Sequence, residues 1–106
     1  MAAKYINITS GPRTTLLEKN TVNTATQYNG LISSIYVSNN SSATNTTIAI
    51  WIEDYDTAAK FFFIKDIVIP GNTAFELSER VSFDVNEYKL IIDHTSSSLD
   101  LTVRIE

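Results

Sequence analysis

The sequence predicts an all-β fold, an antiparallel β-sandwich of about eight strands in jelly-roll or Ig-like style. Three observations carry that expectation. Thr, Ser, Asn, Ile and Val are abundant in the 106 residues, and they favour strands and turns over helices. Apolar residues recur with a period of two, while no long window shows a helical period. Polar turn clusters separate the apolar runs at roughly the 8–12-residue spacing of sandwiches and barrels.

Taken along the chain, the N-terminal KYINIT alternates, with Tyr5, Asn7 and Thr9 against Ile6 and Ile8. Ser10-Gly11-Pro12 breaks the chain after it. Residues 1–12 are therefore expected to form an arm, able to add a strand to a neighbour's sheet, on a single domain spanning 13–106. Residues 14–18 make a short strand. In GLISSIYVS (30–38), Leu31, Ser33, Ile35 and Val37 share one face. SNNSSATN (38–45) is a polar loop. TTIAIWIE (46–53) turns Ile48, Ile50 and Ile52 inward and leaves Trp51 beside Ala49 on the other face.

The strand expected over 60–69 carries the run FFFIKDIVI and follows a turn at 54–58. On a regular strand Phe61 and Phe63 share one face and Phe62 and Ile64 the other, so both faces are expected to be covered, either by the second sheet and a loop or by another chain. Each fully buried Phe or Ile contributes about 1.5–3 kcal/mol. Lys65-Asp66 interrupts the pattern where a bulge or bend belongs. Pro70-Gly71-Asn72 is a tight turn, followed by strands at 73–77, 81–85 and 88–93 and a loop HTSSS (94–98). The last strand alternates cleanly: Leu99, Leu101, Val103 and Ile105 inward, Asp100, Thr102, Arg104 and Glu106 outward.

Composition excludes several kinds of chemistry. The net charge is -4 and no basic stripe exists, so neither nucleic acid nor membrane is an expected partner. The absence of cysteine removes disulfides, thiolate catalysis and Cys-based zinc sites. The N-terminus carries no apolar signal-peptide core, and no apolar run approaches the ~18 residues of a membrane span. Synthesis in a cytoplasm is expected, and the sequons at Asn7, Asn39, Asn40 and Asn45 are read as accidents of composition.

Candidate sites are weak. Glu53, Asp54 and Asp56 lack the further ligands of a calcium loop and read as a solvated hairpin tip. His94 is the only histidine; beside Asp93 and near Ser96 it cannot assemble a triad, because neighbours on a strand point apart. Three dispersed glycines make no phosphate loop. No catalytic residue, metal or cofactor is expected. Tyr28, Tyr36, Trp51 and Tyr55 are candidates for a stacking platform, and Trp51 reads as core, as a partner's anchor or as a ligand platform. The generous apolar surface favours an assembly module, with Tyr5, Ile6, Ile8, Trp51, Tyr55 and Phe62 as candidate interface residues.

The segments SSIYVSNNSSATNTTIAIWIED (33–54), FFFIKDIVIPGNTAFEL (61–77) and YKLIIDHTSSSLDLTVRIE (88–106) resemble small β-sandwich virion proteins of tailed bacteriophages. The resemblance lies in the order of strands and turns, with Lys-Asp-Ile-Val-Ile-Pro as its most specific piece. It implies a non-enzymatic virion structural protein, first a head decoration (cement) protein and alternatively a neck or tail component. Its partners would be the major capsid protein or other virion proteins, in a homo-oligomer or multicopy assembly. The N-terminus and residues 81–87 depart from the pattern and leave the subtype open. A carbohydrate-binding module is the alternative of another class, and a small hydrolase a third.

Overall fold

The computed structural model describes residues 3–18, 31–94 and 100–106. Among them are ten strands: β1 (Lys4–Ile8), β2 (Arg13–Leu17), β3 (Leu31–Ile32), β4 (Ile35–Asn39), β5 (Thr46–Asp54), β6 (Lys60–Ile69), β7 (Thr73–Leu77), β8 (Val81–Ser82), β9 (Tyr88–His94) and β10 (Leu101–Ile105). Two four-stranded antiparallel sheets run β1-β10-β4-β7 and β2-β9-β5-β6, and β3 with β8 forms a two-stranded ribbon. With the ribbon set aside, the first of the eight strands pairs with the last, the second with the seventh, the third with the sixth and the fourth with the fifth. This nesting is the wrapping of a jelly roll, which settles the choice left open between jelly-roll and Ig-like styles.

The core lies between the sheets and is built by the alternation the sequence shows. Ile35, Val37, Leu101, Val103 and Ile105 fill it from one sheet, and Ile48, Ile50, Leu90 and Ile92 from the other. The expected strands at 46–53, 60–69 and 73–77 are present.

Several expectations need correction. The arm is, over Lys4–Ile8, an edge strand of this chain's own sheet: it pairs with β10 along its whole length. Ile8 is buried, and Lys4 Nζ donates to the Leu16 carbonyl of the facing sheet at 3.1 Å. The single strand expected over 30–38 is two. The N–H groups of Ser33 and Ser34 both donate to the Glu106 carbonyl, at 2.6 and 3.2 Å, and turn the chain out of the β3–β8 ribbon into β4. The break shifts the phase, so Ile32 is buried and Leu31 is exposed. The strand expected over 81–85 stops at Ser82, because Asp84 caps a turn instead: its Oδ1 accepts from Asn86 N at 2.8 Å. Leu99, Tyr28 and residues 95–98 lie outside the described residues.

In β6 the regular alternation is what needs correction. Ile48 pairs with Ile67 and Ile50 with Ile64, so Lys65 and Asp66 together oppose Ala49. This is the expected bulge, and Asp66 takes the left-handed conformation there (φ 57). A second shift follows, since Ile50 pairs with Ile64 but Trp51 with Phe62, leaving Phe63 as an extra residue. Strict alternation fails across it, and Phe63 and Ile64 both pack on the core. Phe61, Phe62 and Val68 are not covered by this chain; they are 52%, 42% and 55% exposed. The reason is topological, as β6 is the terminal strand of its sheet.

The Pro70-Gly71-Asn72 turn is held against the 40–45 loop. Asn72 N donates to Ser41 O at 3.0 Å and Gly71 N to Asn45 Oδ1 at 3.3 Å. A Cβ on Gly71 would stand 2.5 Å from the Ser41 carbonyl oxygen. Gly71→Ala must therefore push the turn off the loop, and the expected loss is about 1–3 kcal/mol by urea unfolding.

Candidate functional site

The outward face of the β2-β9-β5-β6 sheet is assembled by register. Residues paired across strands point to the same side. One row is Thr15, Ile91, Trp51 and Phe62; the next is Lys89, Glu53 and Lys60. Arg13, Asp93 and Ala49 flank the first row, with the Lys65-Asp66 bulge beyond Ala49.

Trp51 lies at the centre. It is only 2% exposed, yet among the described residues no second sheet covers it. With Ala49 and Ile91 it forms a small apolar cluster separate from the main core. The guanidinium of Arg13 and the ammonium of Lys60 each stand 4.9 Å from its ring centroid, and the Phe62 ring lies 5.2 Å away. Its Nε1–H donates to Glu53 Oε1 at 3.3 Å. Long cationic side chains cover a ring in this way because their methylene stems are apolar and their heads are drawn to the π face.

Around this lid stand the exposed rings. Lys65 Nζ is 5.1 Å from the Phe62 centroid and Lys89 Nζ 5.8 Å from that of Tyr55, which is 53% exposed. Lys89 also faces Glu53 at 3.7 Å, and Arg13 faces Asp93 at 3.6 Å.

The expected interface residues divide on this geometry. Tyr5, Tyr55 and Phe62 are exposed. Ile6 packs partly against the core. Ile8 and Trp51 are buried inside the chain and offer nothing directly to a partner, which corrects their place in the set. A stacking platform of Trp51 with Tyr55 is likewise not presented, because Arg13, Lys60 and Phe62 occupy the space over Trp51. Tyr36 sits on the opposite sheet under the Arg104 guanidinium, 5.0 Å from its centroid.

The acidic tip has a structural role. Asp54 Oδ1 accepts from Asp56 N at 2.8 Å and Thr57 N at 3.0 Å. The Thr57 N–H, then that of Asp56, hold its carboxyl below the ordinary value. Glu53 is engaged by Trp51 and Lys89. Among the described residues no three His, Asp or Glu side chains gather to hold a metal.

Asp93 and His94 point apart, as strand geometry requires: Asp93 faces Arg13 outside and His94 is fully buried. His94 Nε2 meets Thr14 Oγ1 at 3.3 Å, while Nδ1 has no partner among the described residues. Ser96 lies outside the described residues. Burial lowers the His94 pKa below its ordinary value, against a smaller opposing effect of Asp93. The unfolded chain then takes up this proton more readily than the folded one. Stability should be level above about pH 6.5 and fall as pH drops below it, by at most about 1.4 kcal/mol per pH unit for one proton. His94→Gln should flatten that slope between about pH 6.5 and 5, above the range in which carboxylates titrate, in urea midpoints taken across the interval.

Sequence reasoning missed the cation set, Arg13, Lys60, Lys65 and Lys89. The local signal was KFFFIK at 60–65, in which two lysines bracket the aromatic run. No protein-family model matches the chain, and neither a curated protein nor a solved structure does.

Proposed function

We propose that this chain is a non-enzymatic structural protein of a tailed-bacteriophage virion, a decoration protein bound outside the head across contacts between major capsid subunits. The observation that carries its docking role is the uncovered apolar surface of β6. Phe62 and Val68 stand on its outer side, with Tyr55 on the adjoining hairpin, while exposed Phe61 pairs with Ile52 and lies on the other side of the strand. Large exposed side chains grouped on one strand mark a surface that another molecule covers. The virion part of the reading is supported by the resemblance of residues 33–54, 61–77 and 88–106, including the Lys65-Asp66 bulge. The jelly roll supports it by analogy alone, since viral capsid and lectin domains share that architecture and fold does not imply function. Decoration would stabilise a shell by burying surface across subunit joints, a mass-action effect that needs no chemistry.

Immunogold electron microscopy on particles from the producing lysate, with antibody against this chain, tests the reading. Gold over heads is the expected result. Gold at the neck or tail would keep a virion protein and replace the subtype. Bare particles, with the epitope shown accessible, would overturn the virion reading.

A further inference from the structure

We infer that the outer face of the β2-β9-β5-β6 sheet, centred on Phe62, docks an acidic, aromatic-bearing polypeptide segment of a partner protein. The inference rests on the reading of this chain as an assembly module and names the chemistry of its partner.

Charge carries the argument. The chain has 8 cationic and 12 acidic residues. Four of the cations, Arg13, Lys60, Lys65 and Lys89, stand around one pair of aromatic rings and Tyr55. On this face Glu53 and Asp93 are engaged by Lys89 and Arg13, and Asp66 sits in the bulge. Among the described residues no carboxylate lies within 4.0 Å of Lys60 or Lys65; both cations rest on rings instead. On an otherwise acidic chain Lys60 and Lys65 thus stand on aromatic rings with no ion pair among the described residues, while Asp54 and Asp56 flank Tyr55 on the adjoining hairpin. An acidic segment is drawn to those two lysines, which sets where on the face it binds. Exposed Phe62 and Tyr55 supply apolar area for its aromatic side chains, and the lysines already over the rings lose little freedom on binding.

The contact lies on the face rather than along the edge. β6 is a terminal strand, but the extra residue Phe63 and the Lys65-Asp66 bulge interrupt the regular ladder that an added strand needs.

Trp51, the only tryptophan, lies directly under this surface and reports on it. The intact chain is titrated with a glutamate–tyrosine copolymer, with excitation at the red edge where tyrosine does not absorb. A saturable change in Trp51 emission is expected. Lys60→Glu with Lys65→Glu should weaken it on the order of tenfold, and Phe62→Ser should also weaken it. Lys65→Glu alone leaves the cations over Trp51 in place and should still weaken binding, with the unfolding transition as the check on folding. No saturable change, or an undiminished one in Lys65→Glu, would overturn the inference. Equal binding of heparin would make the face a general polyanion site and overturn it too. An emission change with protein concentration alone would assign the face to a second copy. Gold on particles without a copolymer response sinks only this inference; the reverse pattern sinks only the virion reading.

Discussion

Trp51→Ala should destabilise the protein by about 3–5 kcal/mol, a core-sized effect from a residue on the outer face of a sheet. The truncation uncovers Ala49 and Ile91, which share its cluster. It removes the ring on which Arg13 and Lys60 rest, and each such contact contributes about 0.5–1 kcal/mol. It also removes the ring beside Phe62 and the N–H donated to Glu53. Urea unfolding followed by far-ultraviolet circular dichroism measures the loss without needing the deleted fluorophore. A loss under about 1 kcal/mol, the scale of an ordinary surface change, would show that the ring is not covered in solution. Burial of Trp51 would then be wrong, and a stacking surface would return to consideration.

Asn39→Asp should cost about 3–5 kcal/mol near neutral pH although it changes only one group of the side chain. Asn39 is buried, and its Nδ2 donates to Thr44 O at 2.8 Å and to Ile69 O at 2.9 Å. Its Oδ1 accepts from Ser41 N at 3.1 Å. A carboxylate would keep the last bond and turn an acceptor toward two carbonyl oxygens. Its folded pKa would therefore be raised, so the variant should regain stability as pH falls and the carboxyl protonates. Urea midpoints at neutral and mildly acidic pH separate this from simple loss of packing, which has no such pH dependence. A variant as stable as the parent at neutral pH would refute the placement of this amide. The site matters for function because Asn39 ties β4, in one sheet, to the end of β6, in the other. It thereby steadies the strand that carries Phe62 and Val68.

The limits of sequence reading show at β6. Its bounds and the bulge at Lys65-Asp66 are legible, because a charged pair inside an apolar run has few other places on a strand. The covering of its faces is not. Alternation states which side chains share a face, while the presence of a layer over that face depends on strand order. Phe63 shows a second limit, since an extra residue with an apolar side chain leaves no mark on the pattern and yet reverses the faces after it. At Ser33-Ser34 the alternation runs through a break imposed by the Glu106 carbonyl from the far end of the chain. Trp51 shows a third, because its cover comes from Arg13 and Lys60, residues of other strands whose reach nothing local announces.

By itself, then, the sequence determined the all-β class, the inward rows of β5 and β10 and the turn at Gly71. These are local properties, written in side-chain periodicity and in backbone preferences at single positions. Only the tertiary structure decided the jelly-roll order, the fate of the N-terminal segment as an edge strand, and the gathering of three cations around Trp51 and Phe62. Those follow from long-range contacts such as the side-chain hydrogen bond between Thr14 and His94, 80 residues apart in the chain. The same strands wrapped in another order would have kept every local preference and buried a different face.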